Sequence, residues 1–190
     1  MKLIPFYRRT YLLAFCVLGM LACKEPCDKV DCGEFGSCSE IQDEPNCICS
    51  TGYEKDAEER CTLRSTDKFV GTWTAEEVRT NNLTQVKQTL SYEVSMADED
   101  DNIVRLYVSN IGDFRCPDGS SPALEATVNR SAFSIDEATY CPGAGFSGYQ
   151  FRRSPGAINA TQDTILINYR VTWTEQGTPA DFSGSLKLYR

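Results

Sequence analysis

Beyond residue 68 the apolar side chains fall on every second position. Phe69, Gly71 and Trp73 share one face of the opening segment, and Leu90, Tyr92, Val94 and Met96 alternate in the next. Val104, Leu106 and Val108 follow, then Leu124, Ala126 and Val128, then Phe133 and Ile135. A long segment places Ile165, Ile167, Tyr169, Val171 and Trp173 on one side, and Phe182, Leu186 and Leu188 share a face of the last. A period of two belongs to strands with one buried face, and no window sustains the 3.6-residue period of a helix. Turn-forming runs separate the segments: Ala97 to Asn102, Pro117-Asp118-Gly119, Pro155-Gly156 and Gln176 to Pro179. The pattern predicts a mostly β domain over 69–190, of about seven to nine antiparallel strands closed into a barrel, with a β-sandwich as the alternative. A last strand reaching almost to Arg190 favours the barrel, because closure removes an exposed sheet edge.

The first 22 residues follow another pattern. Lys2, Arg8 and Arg9 are unopposed by any acid, and Tyr11 to Leu21 is an unbroken run of eleven weakly polar or apolar residues. As a helix that run would rise about 16 Å, half of the roughly 30 Å hydrocarbon core of a bilayer. It is expected to be the hydrophobic stretch of an export signal over 1–22 and not a stable span.

Between the two lies a run poor in apolar residues and rich in sulfur. Six cysteines occupy residues 27–61 with spacing C-x4-C-x5-C-x8-C-x-C-x11-C, accompanied by few large apolar side chains (Val30, Phe35, Ile41, Ile48 and Tyr53). So short a segment cannot fold on burial alone and needs cross-links, each contributing about 2–4 kcal/mol. Such bridges persist only in an oxidising compartment, so the chain is expected outside the cytoplasm. Zinc is disfavoured, since the run has no C-x2-C pair and the chain has no histidine. Six cysteines admit fifteen pairings, among which spacing does not choose. A further pair, Cys116 and Cys141, each followed by proline, is expected to close a loop worth about 3 kcal/mol of chain entropy. That leaves Cys16, which goes with the signal, and Cys23.

Three resemblances add to this. The cysteine spacing, with Gly36 before the third cysteine and Gly52-Tyr53 after the fifth, resembles an EGF-like module over 27–61. That family's connectivity implies the bridges Cys27–Cys38, Cys32–Cys47 and Cys49–Cys61. The acidic pair that many such modules use for calcium is replaced by Lys24-Glu25-Pro26, so no metal is expected there. Met20-Leu21-Ala22-Cys23 resembles a bacterial lipobox, which implies cleavage before Cys23, diacylglycerol on its sulfur and a fatty acyl group such as palmitate on its new amino terminus. Residues 23–26 would then be a lipidated tether and 62–68 a polar linker. Lys24 in place of an aspartate implies the outer membrane, with exposure at the cell surface as one option. Lastly, Lys68 to Trp73 contains a Gly-x-Trp that resembles the start of lipocalin and wider calycin barrels, where the tryptophan plugs the closed end against a basic side chain of the last strand. Lys187 or Arg190 would play that part. The combination is similar to small lipocalin-like domains of Bacteroidetes envelope lipoproteins.

Charge and missing chemistry narrow the function. Removing 1–22 takes three of the 19 basic residues and none of the 27 acidic ones, leaving a net charge of −11. A polyanion repels nucleic acid and anionic headgroups, so the anchor and not the surface would hold the protein at a membrane. Without histidine the commonest general base and triad member is missing, and no carboxylate pair stands out. Asp98-x-Asp100-x-Asn102 begins like a calcium loop but has Ile103 where glycine is required. Gly143 to Tyr149 is glycine-rich without the lysine of a phosphate loop. A non-enzymatic binding or interaction module with no cofactor is therefore expected. It would take a small apolar ligand against Trp73, Phe146, Tyr169 and Trp173, or else those four fill a solid barrel and the module contacts a protein partner. The sequons at Asn82, Asn129 and Asn159 raise a third option, a secreted eukaryotic glycoprotein.

Overall fold

The computed structural model describes residues 26–99 and 102–190. The expected signal and the expected lipid site at Cys23 lie outside the described residues.

The sulfur-rich part begins with a short 3-10 turn, Pro26–Lys29, and continues as a hairpin of β1 (Gly36–Ile41) and β2 (Glu44–Cys49). The two turn residues Gln42 and Asp43 both have positive φ (56° and 63°), the handedness that matches the twist of the flanking strands. A smaller antiparallel pair follows, β3 (Tyr53–Lys55) with β4 (Cys61–Arg64). Disulfides join Cys27–Cys38, Cys32–Cys47 and Cys49–Cys61, with Cα–Cα separations of 5.7, 5.3 and 5.2 Å. Cys32, Cys47 and Cys61 are themselves the buried centre, with Val30 and Phe35 packed against them. Sulfur takes the place of an aliphatic core here, as expected for so few large apolar residues.

The stretch 62–68 differs from the polar linker expected of it. Its first three residues belong to β4, Ser65 and Thr66 are wholly buried, and Lys68 Nζ donates to both carboxylate oxygens of Glu54 at 2.6 Å. Arg64 Nη2 stands 2.9 Å from Asp98 Oδ2 as an ion pair, without the alignment of a hydrogen bond. Gly52, at φ 88°, abuts the side chain of Ile103. Polar composition signalled a short connector, and charge pairing and strand pairing also fasten it.

The remaining strands are β5 (Gly71–Asn81), β6 (Lys87–Glu99), β7 (Asn102–Ser109), β8 (Ala123–Asn129), β9 (Ala132–Ile135), β10 (Ala138–Tyr140), β11 (Tyr149–Phe151), β12 (Ser154–Ile158), β13 (Thr164–Glu175) and β14 (Thr178–Tyr189). They form one large antiparallel sheet in which β14, β5, β6, β7, β8, β9, β12 and β13 pair in succession. β13 pairs with β12 through Ile165 to Ile167 and with β14 along its whole length, so the hydrogen bonding returns to its start. The short strands β10 and β11 extend the sheet from the far end of β13.

Alternation decides what this circuit encloses. The odd positions of β5 and β13 and the even positions of β6 and β14 turn to one side. Trp73, Ala75, Val94, Leu106, Leu124, Ile135, Ile165, Ile167 and Leu188 are all fully buried there. Trp73 lies at one end, its Nε1 donating to the Phe69 carbonyl at 2.7 Å. The guanidinium of Arg190 covers the indole at 4.4 Å and donates to the carbonyls of Lys68 and Val70. Of the two basic residues expected against Trp73, Arg190 takes the place, and Lys187 points to the exposed side.

Candidate functional site

Following β5 away from Trp73, the inward positions change from apolar to charged: Trp73, Ala75, then Glu77 and Arg79. Glu77 is fully buried and its carboxylate accepts four hydrogen bonds. Oε1 receives the Tyr169 hydroxyl at 2.5 Å and Arg79 Nε at 2.8 Å. Oε2 receives the Tyr92 hydroxyl at 2.5 Å and Arg79 Nη2 at 3.1 Å. A buried carboxylate is tolerable only when paired and fully hydrogen-bonded, and this one is.

The backbone completes the arrangement. After β7 the chain turns through Asn110 and a 3-10 turn, Ile111–Asp113, in which Gly112 has φ 74°. The Gly112 N–H donates to the Tyr92 hydroxyl at 2.8 Å, and its carbonyl accepts from Arg79 Nη2. A side chain at Gly112 would overlap the Phe114 ring and crowd the Tyr169 hydroxyl. Gly184 on β14 is pressed the same way by the Tyr169 ring and Glu77 Oε1. Two glycines thus make the room in which a carboxylate, two phenols and a guanidinium meet.

Burial first, and the neighbouring Glu77 second, push the Tyr92 and Tyr169 hydroxyls well above their ordinary pKa of 10.0. For Arg79 burial acts to lower the pKa, but the hydrogen bond to Glu77 and the surrounding negative charge outweigh it and hold the value above normal. Both phenols stay neutral and Arg79 stays charged across the ordinary pH range.

Above this polar floor the structure opens into a cup of about 430 Å³. Trp173 and Phe182 stack on each other at 5.3 Å to form one wall, and Phe114 meets Trp173 edge-on at 5.4 Å. Val86 also lines the cup and is half exposed. Asn81, Thr84 and Gln88 contribute uncharged polar groups. Among the described residues Arg79 is the one ionised side chain lining the cup, and its guanidinium lies 4.6 Å above the Phe114 ring.

The four expected ligand residues are dispersed among these features. Trp173 lines the cup. Tyr169 lies below it and serves Glu77. Trp73 is wholly buried at the far end. Phe146 sits in the loop between β10 and β11, edge-on to Tyr149 at 4.9 Å, and lines a separate surface cleft with Arg115 and Pro117. That loop is tied back by the disulfide Cys116–Cys141, with Cα atoms 5.4 Å apart, so Phe146 serves the loop and not the cup. Sequence reasoning put Tyr92 and Phe182 on apolar faces without marking them as site residues, and passed over Glu77, Arg79 and Phe114. The parity of β5 already placed Glu77 and Arg79 on the face of Trp73.

No protein-family model matches the chain, and no curated protein is similar to it by sequence. Among solved structures, the chain is similar to a protein of unknown function of the DUF3598 family from Nostoc punctiforme. The likeness has a TM-score of 0.38 and 14% identity over 67% of this chain, and spans about half (49%) of that one.

Proposed function

We propose that the chain is a non-enzymatic, lipid-anchored binding protein of the cell envelope that takes a small apolar ligand in the cup. In this reading Cys23 carries the acyl chains, the segment 27–61 is an EGF-like spacer or protein-contact module, and the circuit of strands is a lipocalin-like barrel. The observation that carries it is the polarity of that circuit: one end stoppered by Trp73 beneath Arg190, the other opening on an aromatic cup. The filled region from Trp73 to Tyr169 favours a second reading, a solid barrel acting as scaffold for contacts made by the module.

Glycosylation is disfavoured at two of the sequons. Asn159 Nδ2 donates to Thr161 Oγ1 at 2.8 Å and to Asp163 Oδ1 at 2.6 Å, and Asn82 is held in the same way. Asn82 Nδ2 donates to Asp181 Oδ1 at 2.7 Å and to Ser183 Oγ at 2.9 Å, and a glycan on either nitrogen would break the contacts. The test of the anchor is mass spectrometry of the mature N-terminus after expression in a bacterial host. An acylated peptide beginning at Cys23, absent in Cys23→Ala, is the expected result. An unmodified terminus elsewhere would overturn it.

A further inference from the structure

We infer that the cup takes a neutral, flat and largely apolar molecule bearing one hydrogen-bond acceptor, such as an aryl ketone, and that it rejects carboxylates of the same shape. This rests on the binding reading above and names the ligand class. Two of the three nitrogens of Arg79 are committed, Nε and Nη2 to Glu77 and Nη2 also to Gly112, while Nη1 has no acceptor among the described residues. A donor edge therefore remains beside a wall of stacked Trp173 and Phe182.

Charge selects the acceptor. Glu77 already neutralises Arg79, and its four donors hold it in place, so the floor is a closed ion pair and not a free cation. Among the described residues no other lining side chain is ionisable. A ligand carboxylate would have to share one guanidinium with a buried carboxylate, in a chain whose overall charge is negative. A neutral carbonyl accepts from Nη1 without that repulsion. A molecule of equal shape with no acceptor would cover the Nη1 donors and leave them unmet.

The test uses three naphthalenes of nearly equal shape: 2-acetylnaphthalene, 2-naphthoate and 2-ethylnaphthalene. Their binding to the chain 24–190, prepared without lipid or detergent, is measured by equilibrium dialysis at neutral pH. The ketone is expected to bind about tenfold more tightly than the carboxylate and about fivefold more tightly than the hydrocarbon. Phe182→Ala, at the half-buried wall, is expected to weaken the ketone about tenfold while the thermal midpoint shows the fold intact. If the carboxylate binds best, the charge argument is overturned while binding in the cup stands. If ketone and hydrocarbon bind equally, or Phe182→Ala leaves ketone binding unchanged, the Arg79-and-aromatic seat is overturned. If none of the three binds up to about 1 mM, the binding reading itself falls and the scaffold reading takes its place.

Discussion

Glu77 is where single side chains matter most. Arg79→Leu leaves a buried carboxylate without its counter-charge and should cost about 3–5 kcal/mol in urea denaturation. Tyr169→Phe removes one of four donors and should cost about 1–3 kcal/mol. Gly184→Ala drives a methyl into the Tyr169 ring and should cost about 1–3 kcal/mol with no change of charge. The two phenols also set an alkaline limit. Their folded pKa values are raised above the unfolded value of 10.0, so their contribution is complete below about pH 10 and is lost as pH climbs further. Stability measured from pH 8 to about 11.5 should therefore decline at the top of the range, and less steeply in Tyr92→Phe. Reading by alternation put Tyr169 and Trp173 on the inward side, where they are. It passed over Glu77 because hydrophobic pattern-matching scores a carboxylate as a surface residue, and only its parity with Trp73 gives it away. Gly112 was beyond reach, since what demands glycine there is a phenyl ring two residues on and a hydroxyl from a distant strand.

Among the elements, β13 and β14 form the longest ladder, pairing from Thr164 opposite Tyr189 to Glu175 opposite Thr178. On its outer face Arg170 donates to Asp181 at 2.6 and 3.0 Å, and that contact first, with Asn82 assisting, holds the Asp181 carboxyl below its ordinary 3.8. A lowered carboxyl stabilises the fold above its unfolded pKa and loses that effect as acid protonates it, so this contribution starts to fade as pH falls below about 4. Asp181→Asn should flatten the acid limb of a stability profile. The disulfide Cys116–Cys141 closes a loop of 24 residues, and replacing both cysteines by serine should lower stability by about 3 kcal/mol in chemical denaturation. Most long strands were legible because they carry three or more alternating apolar residues, whereas β5 has only Trp73 and Ala75 before its inward positions turn to Glu77 and Arg79. β10 and β11, of three residues each, fall below what a period of two can reveal. Phe69 has the right parity for β5 but precedes it, its N–H turned back to the Thr66 carbonyl.

At the scale of the whole molecule, the division into a sulfur-held part and a β-patterned part was plain from composition. Their mutual fit was not. It depends on Gly52 against Ile103, Lys68 with Glu54 and Arg64 beside Asp98, pairs far apart in sequence and belonging to no motif. The two parts nonetheless draw on different sources of stability, one covalent and one apolar. Mild reduction followed by alkylation should make 27–61 sensitive to protease, while 69–190, weakened by the opening of Cys116–Cys141 but held by its apolar core, persists as a resistant fragment, as gel electrophoresis and peptide mapping would reveal. Loss of both parts at the same reductant concentration would show instead that the large sheet cannot stand without its neighbour.

The two tryptophans occupy opposite ends of one enclosure, Trp73 sealed and Trp173 at the lip. Nature has thereby installed a pair of optical gauges with separate duties. Acrylamide should extinguish the emission of Trp173 readily and spare Trp73, giving a downward-curving quenching plot for the native chain. Whatever settles in the cup would shield the first and leave the second as an internal reference, so occupancy can be followed without attaching any label.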